Sequence, residues 1–169
     1  PQQSAPSEPV KQMDQDVLPG PQLLVKLLEE DGRRELRVTG TEYSDRIRIS
    51  RDGSVVRVQG SSSPGSYEDV DAICVYGFGG ADTITVVVGV DLPLTVWAGE
   101  GDDQVFAGGA GPAQLNGQGG DDLLIGLNGW ADLLDGGEGV DSLWGDGEDV
   151  YYEPSELEIE LGAVHSIRG

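Results

Sequence analysis

Four aspartates hold most of the chemical information in this 169-residue chain. Asp82, Asp103, Asp122 and Asp141 follow one another at intervals of 21, 19 and 19 residues, and each comes after a glycine-rich run. Carboxylates gathered at a regular interval can act as an acid–base pair or as oxygen ligands for a cation. The charge balance favours the cation. Asp and Glu number 31 against 10 Lys and Arg, a formal net charge of −21. Between Gln59 and Ile167 there is no Lys or Arg, while the same stretch holds 21 acidic residues. Carboxylates stacked at a strand spacing of about 4.8 Å would repel by roughly 3 kcal/mol per pair at an effective dielectric of about 20. The chain offers no base of its own there, so compact folding calls for a cation from outside. A solvated acidic tail has a similar composition. Here, however, Leu, Ile, Val and Trp recur between the acids at regular intervals, which disorder does not explain. Adjacent acids such as Asp102-Asp103 could suggest glycosidase chemistry, but their phase fits one ligand and one solvent-facing charge better.

The glycine runs form a repeat. Gly136-Gly137-Glu138-Gly139-Val140-Asp141-Ser142-Leu143-Trp144 is its cleanest copy, and Gly117-Gln118-Gly119-Gly120-Asp121-Asp122-Leu123-Leu124-Ile125 precedes it in phase. The units starting at Gly108 and Gly126 fit with Ala113 or Asp132 at the aspartate position, and Gly99 to Val105 and Gly77 to Ile84 extend the series upstream. This run resembles the RTX, or hemolysin-type, calcium-binding nonapeptide G-G-x-G-x-D-x-U-x, in which U is a large aliphatic residue. The resemblance covers Gly77 to about Trp144, somewhat under half the chain.

The resemblance implies an all-β fold, a parallel β-roll or β-helix solenoid with several Ca2+ ions between stacked turns. Carried onto this chain, it places metal ligands at Gly77, Gly79, Gly80 and Asp82, and at Gly99, Gly101 and Asp103. Further along it places them at Gly117, Gly119, Gly120 and Asp122, at Asp132, and at Gly136, Gly137, Gly139 and Asp141. Each unit then reads as six residues of glycine-rich turn and three of strand, with Ile84, Val105, Leu115, Leu124, Leu134 or Leu143 pointing into the core. Two units make one coil, so Asp82, Asp103, Asp122 and Asp141 share one edge. Ala113 and Asp132 fall on the opposite edge, which Ala113 makes the poorer metal ladder.

The remaining segments frame that region. Residues 1–22 are polar, contain proline and show no apolar period; they read as an extended arm that could lie along its own domain or on a second copy of the chain. Residues 23–76 read as degenerate β-coils. Leu23–Leu28 and Glu35–Val38 are strands around the turn Glu30-Asp31-Gly32-Arg33, and Val55–Val58 and Ile73–Val75 are strands on either side of a Ser61–Gly65 loop. Asp45, 37 residues before Asp82, is an open candidate for the ladder. Residues 77–149 are the repeats, and 150–169, with the alternating Leu157–Leu161, form a capping segment.

Several function classes are disfavoured. Nucleic-acid binding lacks its basic patch, and no run reaches the roughly 18 apolar residues of a membrane span. The lone Cys74 excludes an internal disulfide and reads as a packed residue. His165 has no obvious catalytic partner, and Trp97, Trp130 and Trp144 read as cover for coil faces or caps. A start at Pro1 fits a processed product. The expectation is a non-enzymatic, calcium-stabilised extracellular or cell-surface structural protein, with self-assembly through the arm. The alternative is a calcium-binding module of a larger secreted enzyme, toxin or adhesin.

Overall fold

The computed structural model describes residues 22–60 and 65–152. The described residues are all-β, without a helix, and build a parallel β-solenoid. One seven-stranded sheet runs β1 (Leu24–Glu30), β2 (Arg33–Thr39), β6 (Ala72–Gly79), β8 (Leu94–Glu100), β10 (Ala113–Gly119), β12 (Leu133–Glu138), β14 (Val150–Tyr152). The other runs β13 (Ser142–Trp144), β11 (Leu123–Ile125), β9 (Gln104–Phe106), β7 (Thr83–Val86), β3 (Arg46–Asp52), β4 (Val55–Gln59), β5 (Gly65–Glu68). Pairing is parallel from β2 to β14 and from β3 to β13; only β1–β2, β3–β4 and β4–β5 are antiparallel.

Side-chain alternation explains why these segments coil. Leu36, Ile47, Ile84, Val105, Leu115, Leu124 and Leu134 are fully buried, each flanked along its strand by residues facing out. Parallel in-register pairing sets each inward side chain on its equivalent one coil away, as with Leu115 between Val96 and Leu134. Leu143, in the last coil of the second sheet, is only half-buried. At the entry, Asp31 and Gly32 both take left-handed backbone, φ 50° and 76°, the geometry of a two-residue hairpin turn.

Strand length differs from the sequence expectation on one sheet. β9, β11 and β13 have the expected three residues. Strands of the first sheet within the repeats run six to eight residues and take in Gly77, Gly79, Gly99, Gly117, Gly119, Gly136 and Gly137, which the nonapeptide pattern assigns to turns. In register Gly99 faces Phe78 and Gln118, and Gly119 faces Glu100 and Glu138; pairing skips the Gly77, Gly117 and Gly136 positions and resumes beyond them. The turns on the aspartate edge therefore shrink to three residues, such as Gly101-Asp102-Asp103. The arm, the Ser61–Pro64 part of the loop, Leu157–Leu161 and His165 lie outside the described residues. No described helix is long and apolar enough to cross a membrane.

Candidate metal centre on the aspartate edge

Each three-residue corner from the first sheet to the second ends on an aspartate, and these aspartates stack. Asp82 Oδ1 accepts the backbone N–H of Asp45 at 2.7 Å, Asp103 Oδ1 that of Asp82 at 2.7 Å, and Asp122 Oδ1 that of Asp103 at 2.8 Å. Asp141 Oδ1 continues the series by accepting from Asp122 N at 2.8 Å. All five side chains are buried, the four repeat aspartates at 1 to 5% exposure. The intervals of 21, 19 and 19 residues thus become one column of carboxylates, with Asp45 as its first member.

The second oxygens separate this edge from everything around it. Oδ2 of Asp82, Asp103 and Asp122 is buried without any hydrogen-bond partner. At the start of the column, Asp45 Oδ2 accepts the N–H and the hydroxyl of Thr41, at 2.7 and 2.9 Å. On the opposite edge Ala113 N donates to Asp132 Oδ1 at 2.8 Å and Asp132 N to Asp149 Oδ1 at 2.9 Å. There the second oxygens are served by the protein: Asn128 Nδ2 donates to Asp132 Oδ2 at 2.7 Å, and Asp146 N to Asp149 Oδ2. Three consecutive orphaned oxygens therefore occur on the edge that carries an aspartate in every repeat coil. A buried carboxylate oxygen without a donor costs several kcal/mol unless it is protonated or meets a cation.

Glycine shapes the space in front of those oxygens. A Cβ on Gly77 would lie 2.5 Å from Asp82 Oδ2 and collide with the carbonyl oxygen of Ala98 in the next coil. A Cβ on Gly117 would collide with Asp122 Oδ2 and Gly136 O, and one on Gly136 with Asp141 Oδ2. Ala98, between Trp97 and Gly99 in the register, holds the corresponding place before Asp103 and carries a methyl where the neighbouring coils have glycine. At the corner itself, Gly80, Gly101, Gly120 and Gly139 have φ of 89°, 121°, 123° and 135°, and the carbonyl oxygens of Gly80, Gly101 and Gly120 each face the glycine one coil on. Gly79 and Gly119 have more room, near Glu42 and Glu100 side chains. Gly99 and Gly137 sit on left-handed backbone within β8 and β12.

Burial, the largest effect, pushes Asp82 and Asp122 up to about 7 and Asp103 to about 6. The backbone N–H that each carboxylate accepts pulls the other way, and neighbouring aspartates push up again. Burial likewise raises Asp132 to about 6, and raises Asp141 and Asp149. At neutral pH the column holds charge that the fold does not compensate.

A hard divalent cation fits this donor set. Every donor is oxygen, carboxylate from the ladder and carbonyl from the stacked coils, which is the chemistry calcium prefers. Asp82 with Ala98 O, and Asp122 with Gly136 O, are the residues that would hold it. Among the described residues no three His, Cys, Asp or Glu side chains converge on a point as they do in a side-chain metal centre. Ligation here would rest on backbone carbonyls as much as on carboxylates. Asp149 and Asn128 were not anticipated, although Gly145-x-Gly147-x-Asp149 carries the same G-x-G-x-D signal as its predecessors. Cys74 is buried in β6 and burial raises its thiol. Trp97 and Trp130 are exposed, and Trp144 lies half-buried on the outer face of β13.

The fold and the edge together define an acidic β-solenoid with a stacked aspartate column. Compared with family models, curated proteins and solved structures, the chain matches none.

Proposed function

We propose that this protein is a calcium-stabilised extracellular structural or surface protein of the RTX type, without enzymatic activity. The orphaned Oδ2 atoms of Asp82, Asp103 and Asp122, buried in one column, carry the reading. Calcium bound there supplies the positive charge that the chain lacks from residue 60 to 167 and links one coil to the next. The protein's own part is to hold the carboxylates in register through the amide-to-Oδ1 chain, to exclude water, and to keep the opposite edge closed through Asn128 and Asp146. Folding is then coupled to binding, as it is when a site has no counterpart in the unfolded chain. A chain stiffened in this way serves as a rod or layer component, with residues 1–22 as the arm that joins copies.

Circular dichroism with calcium and with a chelator tests this directly. Strand signal gained on adding calcium, and lost on chelation, is the expected result. A spectrum unchanged by either would remove the coupling. Light scattering during the same titration should rise for the full chain and rise less for a chain lacking residues 1–22.

A further inference from the structure

Charge in this molecule is segregated along the solenoid. The eight described basic residues fall between Lys26 and Arg57, and residues 65–152 contain none. Four of the eight are engaged. Arg34 pairs with Asp69 at 3.0 Å, Arg37 with Glu35 at 2.7 Å and Arg57 with Asp52 at 3.1 Å, while Arg51 donates to Val90 O at 3.0 Å. Of the other four, Lys26 and Arg33 lie apart on β1 and β2, while Arg46 and Arg48 lie together on one strand. Both are exposed on the outer face of β3, and neither side chain has an ion pair or hydrogen bond among the described residues. Their neighbours in register are Thr83 and Thr85 of β7 and Gln59 of β4, so no acid stands beside them on the sheet. Two unengaged guanidinium groups in a chain of net charge −21 are a complementary surface without its complement.

The outer face of the first sheet carries the matching feature. A depression of about 390 Å³ lies over Gly99, lined by Tyr76, Phe78, Trp97, Glu100 and Gln118. Phe78 and Gln118 flank Gly99 on neighbouring strands, and Tyr76 and Trp97 lie side by side in register. Trp97 is 39% and Phe78 51% exposed, and Glu100 is the one formal charge in the lining. Phe78 and Gln118 stand on left-handed backbone, φ 80° and 82°, a conformation that favours the glycine found in the same column at Gly99 and Gly137. Aromatic faces beside a carboxylate and an amide oxygen suit a guanidinium, which stacks its plane on the rings while its N–H groups donate at the edge. Arg37, 5.8 Å from the Tyr76 ring centroid, already uses the same aromatic column in that way.

We propose that this depression receives an arginine of a second copy, supplied by the Arg46–Arg48 face. The two surfaces differ, so the contact is heterologous, and each copy offers both halves. It depends on the self-association part of the proposed function but not on calcium ligation and not on the arm, so each can fail separately.

Sedimentation velocity on the full chain, with calcium present and the fold monitored by circular dichroism, decides the matter. Trp97→Ala, and separately Arg46→Glu with Arg48→Glu, should each weaken self-association about tenfold without changing the spectrum, and high salt should do the same to the wild type. Each variant keeps one intact half. Mixed together they should form a one-to-one pair that neither forms alone. Deleting residues 1–22 should leave that pairing in place. Self-association untouched by either variant, a mixture that stays unpaired, association lost only with the arm, or a wild type that never associates would each overturn the proposal.

Discussion

Replacing Asp122 with asparagine should change stability in opposite directions depending on whether calcium is present. Asp122 is 2% exposed, accepts Asp103 N–H through Oδ1, and has no partner at Oδ2. Asparagine has the same shape and keeps the Oδ1 acceptor, while its amide nitrogen replaces the orphaned oxygen near Gly136 O. With no metal, the folded protein above neutral pH must hold Asp122 ionised although burial has moved it from 3.8 to about 7. At about 1.36 kcal/mol per decade that amounts to at most about 4 kcal/mol, and sharing among the neighbouring aspartates makes about 2 kcal/mol a reasonable lower figure. The variant should therefore be more stable than the wild type by about 2–4 kcal/mol in chelator near pH 8, and the gain should vanish near pH 4, where the wild-type carboxyl is protonated. In millimolar calcium the order reverses. The wild type gains about 4.1 kcal/mol per ion at a thousandfold excess over Kd, and the variant loses a charged ligand. Urea unfolding followed by circular dichroism gives both comparisons; where the metal-free wild type is already unfolded, recovered strand signal in the variant reports the same sign. A variant equally destabilised with and without calcium would refute the reasoning, because the loss would then come from packing alone.

Three further outcomes follow from the same geometry. The metal-free fold should lose stability as pH rises from about 4 to about 7, because Asp82, Asp103, Asp122 and Asp132 keep protons in the folded state that the unfolded chain has released, and calcium should flatten that slope in a melting series. Gly117→Ala should cost about 1–3 kcal/mol in calcium and lower calcium affinity, since the added methyl meets Asp122 Oδ2 and Gly136 O; unchanged melting and binding would show that the space is not used. Cys74, 7% exposed with its thiol raised by burial, should react with a thiol reagent only on unfolding, so its labelling rate should fall when calcium is added.

The aspartate column was legible in the sequence because a parallel coil converts chain interval into stacking. Asp82, Asp103, Asp122 and Asp141 recur at close to one coil length, and the aliphatic residue two after each, buried in the first three, fixes the phase. The gap in the opposite edge was legible for the same reason, from Ala113 standing where an aspartate belongs. The length of the first-sheet strands was not. Glycine-rich runs read locally as turns, and only the folded register shows β10 continuing as far as Gly119 between β8 and β12. Nor could the sequence distinguish satisfied from orphaned carboxylates. Asn128 and Thr41 lie four residues before Asp132 and Asp45, and only the folded corner brings their donors onto Oδ2. The antiparallel addition of β4 and β5 beside β3 interrupts the coil spacing, which is why Asp45 lies 37 residues before Asp82 and yet stacks directly on it.

Calorimetric titration of the full chain with calcium addresses the central claim most directly. Calcium should bind at more than one site per chain, with stoichiometry reduced when Asp122 or Asp82 is replaced by alanine and unchanged when Asp132 is replaced. Absence of any binding by a chain whose strands are already fully formed in chelator would contradict it.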